Sequence, residues 1–135
     1  MRRSRYEAAA PSLDEVAALA EAAFARLPAA FRRMAGDVVF HVQDFAEDEV
    51  LAELEIENPF ELTGLYAGVH IGARSVLGPE PETSRVFLYR RPILDEWCDN
   101  GEVTLGELVA HVLVHEIGHH FGLSDAQIEA IEAAA

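Results

Sequence analysis

The stretch from Thr104 to Gly122 constrains this chain more than any other. Leu108, Val109, Val112, Leu113, Val114, Ile117 and Phe121 are spaced so that a helix here is apolar on most of its sides. Such a helix belongs inside a core. Its ends are marked as well: Thr104 and Glu107 make a capping box, and Gly122 stands where a left-handed residue stops a helix. Yet the same segment carries His111, His115, Glu116, His119 and His120. A carboxylate in a buried helix is costly unless a cation or hydrogen bonds compensate it. The fold therefore has to set something beside Glu116.

The remaining segments follow from periodicity and turn chemistry. Leu13, Val16, Ala17, Ala20, Phe24 and Leu27 recur at helical spacing after a Ser12/Glu15 capping box, and Pro28 ends or bends that helix. A short helix is expected over 29–34, a strand over 38–42, and a short acidic helix over 48–54 before the Asn58-Pro59 turn. Leu65, Ala67, Val69 and Ile71 alternate with Tyr66, Gly68 and His70, which predicts a strand over 63–71. A loop is expected at 78–82, a third strand at 85–90, and a helix over 92–98 opened by Pro92. Ser124 and Gln127 cap a last helix at 125–133. Helix, strand, short helix, strands and two closing helices describe an α+β domain, with about three strands packed on the 104–121 helix. With 135 residues, half of them apolar, one domain over 12–135 behind a flexible tail at 1–11 is the expectation.

Charge narrows the function classes. There are 24 acidic and 10 basic residues, a net charge of −14, and every basic residue is Arg. A surface of that sign repels phosphate backbones, so a nucleic-acid partner is not expected. Eight of the acids lie between Asp44 and Glu61 with no Arg among them, a solvated face that would also favour cationic peptides. No run is long and apolar enough to span a bilayer, and Arg2, Arg3 and Arg5 are not followed by a secretory apolar stretch. A cytoplasmic location without a membrane partner is the expectation. The lone Cys98 excludes an intramolecular disulfide and lacks a neighbouring histidine that would make it a nucleophile.

The chemistry sits on the 104–121 helix. Residues four apart on a helix differ by about 40° in direction and about 6 Å in height, so His115 and His119 can meet one ion. Zinc accepts neutral imidazole nitrogens in a tetrahedral shell. Glu116, about 100° round from His115, can reach a metal-bound water without being a ligand. That is the mechanical content of H-E-x-x-H. A third ligand is needed, and Gly122 lets the chain reverse so that Asp125 returns towards the ion. Asp125 also fits a plainer role, a carboxylate at the first position of the last helix, favoured by its dipole.

The other histidines divide by position. His111, one turn before His115, is about 12 Å along the axis from His119, so all three cannot bind one ion. It is expected as a surface, hydrogen-bonded residue. His120 points with Val109 and Leu113 and is expected as a satisfied core histidine, while His41 and His70 sit on strands.

The spacing His115, Glu116, His119, Gly122, Asp125 is similar to the extended metzincin motif with Asp for the third histidine. Residues 62–130 resemble the small bacterial zincin-like metallopeptidase domains. Gly64–Gly68, Phe87–Ile93 and His115–Asp125 carry the likeness. The resemblance implies a minimal zincin fold, zinc on His115, His119 and Asp125, and Glu116 as general base. It implies hydrolysis of a peptide or protein substrate; the candidates in this sequence for a second oxyanion donor are Tyr66, Tyr89 and His70. Metzincins place a methionine turn after the motif, whereas Met1 and Met34 both precede it and ten residues follow Asp125. A catalytically silent, zinc-stabilised binding or regulatory module is therefore the alternative. A helical, acidic interaction protein with chance histidines is a third reading.

Overall fold

A computed structural model describes residues 9–68 and 83–135. The expected end of the second strand at 69–71, with His70, and the 78–82 loop lie outside the described residues, as do Arg2, Arg3 and Arg5. The chain forms α1 (Leu13–Ala25), α2 (Ala29–Ala35), β1 (Asp37–Gln43), α3 (Asp48–Glu53) and a 3-10 turn at Pro59–Glu61. Then come β2 (Gly64–Gly68), β3 (Thr83–Tyr89), α4 (Arg90–Asp99), α5 (Leu105–His120) and α6 (Asp125–Ala134). Among the described residues, six helices and a short mixed sheet make a small α+β fold, as the element order in the sequence predicts.

The capping boxes at Ser12, Thr104 and Ser124 all form, each with both reciprocal hydrogen bonds. The largest boundary differences meet at the end of β3, where the strand expected over 85–90 spans Thr83–Tyr89. The helix expected to open at Pro92 starts at Arg90, directly after β3. Pro92 still falls in its first turn, where a missing N–H breaks no intrahelical bond.

The sheet order is β1-β3-β2, with β1 parallel and β2 antiparallel to β3. Alternation along β3 separates two clusters. Val86 and Leu88 face the helices, packed with Val16, Ala20 and Ala23 of α1 and with α5. Phe87 and Tyr89 face the other way, covered by Ala46, Leu51 and Leu62. Helix α5 lies at the centre, touching α1, β2, β3, α4 and α6. Its Val109, Leu113, Val114 and Ile117 are fully buried. Each such side chain contributes about 1.5–3 kcal/mol of transfer free energy, enough together to offset the polar residues the helix also carries.

Two glycines set how closely neighbours approach α5. At Gly64, a methyl group would meet Val112 Cγ1 at 2.8 Å and Glu116 Cγ at 3.4 Å, so only a bare backbone lets β2 lie against the helix. At Gly118 a methyl would lie 2.8 Å from Ile128 Cγ1. Ile128, completely buried, fills that notch and holds α6 as it runs back along α5. Among the described residues, no helix is long and apolar enough to cross a membrane.

Candidate metal centre

The end of α5 is built by a hydrogen-bonded reversal. Gly122 N–H donates to His119 O at 3.0 Å and Leu123 N–H to Gly118 O at 2.9 Å, the paired bonds of a Schellman turn. Gly122 takes φ 76°, the left-handed conformation expected of it. The chain then re-enters a helix at Asp125, and the reversal sets Asp125 Oδ1 3.2 Å from His119 Nε2. Two ligands on a tetrahedral zinc with bonds of about 2.0–2.1 Å stand roughly 3.3 Å apart, so this pair already has the spacing of one edge of such a shell. An imidazole and a carboxylate are also the donor types zinc accepts. His115 and His119 project one turn apart, their ring centres 5.5 Å from each other.

His115 is drawn elsewhere, however. Its Nε2 lies 3.1 Å from Oε1 of Glu132 on α6, and His111 Nδ1 is 3.0 Å from the same oxygen. Among the described residues, the three side chains whose donor atoms all come within 4.8 Å of one another are His111, His115 and Glu132. The predicted trio of His115, His119 and Asp125 is thus brought together as a pair plus a neighbour. His111 is exposed and hydrogen-bonds Glu132, as a surface histidine should. Glu132 was not singled out by sequence reasoning. It follows the buried Ile128 by one turn, and that spacing is the signal that points it at α5.

Glu116 is half-buried beneath the start of β2. Burial raises its pKa above the ordinary glutamate value, and the charge of His119 pulls it partly back. Burial lowers the pKa of His115, with His111 adding to the effect and Glu132 opposing it. Both shifts favour the neutral forms. A neutral imidazole is the form that binds a metal.

Two residues change place relative to expectation. His120 is exposed rather than buried, because the last turn of α5 overhangs the core. Its ring lies over Tyr66, centres 4.0 Å apart. His41 stacks on Phe87, on the sheet face away from α5, so it does not line this site.

The hydroxyls also separate. Ser84 Oγ donates its only proton to Ala35 O at 2.9 Å, so Tyr66, bonded to that same Oγ, must donate to it. Tyr66 therefore has no proton left for a substrate. Tyr89 is buried, and its pKa is raised first by burial and then by the charges of Glu47 and Glu116, so it keeps its proton.

No curated protein matches the chain. The family profile described as zincin-like metallopeptidase matches residues 35–135, from the end of α2 through the whole sheet, α5 and α6. That span contains the helix with its H-E-x-x-H run, the reversing turn and Asp125, and the chain belongs to the zincin-like metallopeptidase family.

Proposed function

We propose that this chain is a zinc-dependent hydrolase of peptide bonds, holding its metal through His115, His119 and Asp125 and using Glu116 as base. The observation that carries the reading is Glu116: a half-buried carboxyl of raised pKa, one residue from His115 and under the edge strand β2. Membership of the zincin-like family supports metallopeptidase-type chemistry and zinc as the metal.

Zinc bound there would polarise the scissile carbonyl and acidify the attacking water. Glu116 would accept the proton of that water and pass it to the leaving amine, a task suited to a carboxyl whose proton affinity burial has increased. The outer edge of β2 is unpaired among the described residues. An extended peptide would add there as a further strand. The net charge of −14 favours a peptide or protein substrate over nucleic acid.

Protein purified without a histidine tag should carry about one zinc per chain. Glu116→Gln should keep that metal and lose hydrolysis of a peptide library. Hydrolysis that survives the substitution sinks the mechanism. A zinc-stabilised module that cleaves nothing is the second reading. It is favoured by the engagement of His115 with Glu132, and it predicts metal without turnover in the unsubstituted chain.

A further inference from the structure

We propose that His111, His115 and Glu132 form a second divalent-metal site, one turn upstream of the first and exclusive with it because His115 belongs to both. The proposal goes beyond the peptide-bond hydrolysis above and does not require it.

Three observations carry it. The first is spacing. Oε1 of Glu132 lies 3.0 Å from His111 Nδ1 and 3.1 Å from His115 Nε2. Those separations are within a few tenths of an ångström of the roughly 3.3 Å between ligands on a tetrahedral zinc. Small side-chain adjustments would centre a cation among the three donors.

The second observation is what Oε1 does not do. This oxygen is shut off from solvent and, despite two imidazole nitrogens at contact distance, accepts no hydrogen bond of proper geometry. The hydrogen bond from His111 Nδ1 goes to the other oxygen, Oε2, at 3.2 Å. A buried carboxylate oxygen left in that state is costly. A structural His–Glu ion pair would have aligned an N–H with it. Three potential ligand atoms converging on a point, with Oε1 left without a hydrogen bond, is the arrangement a cation resolves.

The third is that the trio is placed by rigid elements and open to supply. Four residues before Glu132, Ile128 is locked into the Gly118 notch, so the carboxylate is delivered by helix docking rather than by a loop. Two surface pockets share Glu107, His111 and Glu132 in their walls, giving a cation from solvent an acidic approach.

Two imidazoles and a carboxylate suit zinc and also cobalt or nickel. With His115 committed upstream, His119 and Asp125 are left with two ligands and Glu116 with no metal-bound water to activate. A cation at the upstream site therefore silences the downstream one.

The test uses metal-stripped, untagged full-length chain titrated with Co²⁺, read by its visible absorption, and with Zn²⁺ against a chromophoric chelator. His119→Ala/Asp125→Ala keeps only the upstream trio and should still bind one cation. Adding His111→Ala should weaken that binding by more than about 100-fold, beyond what loss of a supporting residue costs. His111→Ala/Glu132→Gln keeps the downstream trio and should also bind one. If it alone binds, the upstream site is overturned. If only His119→Ala/Asp125→Ala binds, the upstream site stands and the downstream reading fails. Should either variant fail to fold, the unsubstituted chain decides by NMR of its imidazole nitrogens. A His111 Nδ1 resonance that shifts as Zn²⁺ is added supports the site, and one unmoved in excess Zn²⁺ overturns it.

Discussion

The two ends of the histidine stripe on α5 find their carboxylates in different ways. At the downstream end, His119 meets Asp125 across six residues, through a turn whose hydrogen bonds are all local. Both side chains there are open to water, 54% and 84% exposed. At the upstream end, His115 and His111 meet Glu132 from 17 and 21 residues away, because α6 docks on α5. His115 and Glu132 are 28% and 31% exposed, so that end is the more sheltered. Coulomb attraction in a partly desolvated pair is screened less than in an exposed one. The difference teaches that a motif can supply its own ligand by turn chemistry, while packing supplies a rival that the motif does not name.

Because His115 stands between the two ends, its removal has the largest effect. His115→Ala should lower cation affinity by more than about 100-fold in both settings, leaving two ligands at either end. Equilibrium dialysis with Zn²⁺ measures it. Affinity that holds within a factor of a few would break the comparison, since neither end would then be a metal site.

Ile128→Ala comes next and separates the ends. Emptying the Gly118 notch should cost about 2–5 kcal/mol, the range for truncating a fully buried isoleucine, read by urea unfolding. If helix docking delivers Glu132, the upstream trio should loosen more than the His119–Asp125 pair. An equal loss of metal binding in the two double variants carrying Ile128→Ala would contradict that division.

Gly122→Ala probes the other end. Nothing lies within 4 Å of the added methyl, so the cost is the left-handed backbone alone, about 1–2 kcal/mol. Thermal unfolding measures the loss. A cost near zero would mean that the turn relaxes, and that Asp125 is not held by it.

The same contrast decides what was legible in the sequence. Helix α5, its capping box and its stop at Gly122 could be read because each depends on residues within one turn of one another. The return of Asp125 to His119 was legible for the same reason. Glu132 was not, since nothing local states that α6 folds back with Ile128 in a notch at Gly118. Those contacts are decided by shape across two helices. His120 was misread because helical period assigns a direction but not how far the core extends, and the core stops a turn short of it. Tyr66 looked like a free donor until Ser84, brought beside it by β2–β3 pairing, claimed its proton.

The smallest effect concerns the two capping boxes that open α5 and α6. They are alike in geometry and unlike in chemistry. In the first, Thr104 N–H donates to Glu107 Oε1 and Glu107 N–H to Thr104 Oγ1, both at 3.1 Å. In the second, Gln127 stands where Glu107 stands, receiving the Ser124 N–H at 2.8 Å. The hydrogen bonds from Thr104 hold the Glu107 carboxyl below its ordinary pKa. A carboxyl depressed on folding contributes stability that is present above its unfolded pKa and lost as pH falls through its folded one. The cap of α5 should therefore weaken in acid, while the cap of α6, whose amide does not titrate, should not. Amide exchange at Thr104 should lose protection as pH falls through the carboxylate range, after correction for intrinsic rates, and exchange at Ser124 should stay level. Glu107→Gln should abolish the difference between the two helices. Parallel behaviour of Thr104 and Ser124 in the unsubstituted chain would show that acid acts on the helix pair as a whole and not on one cap.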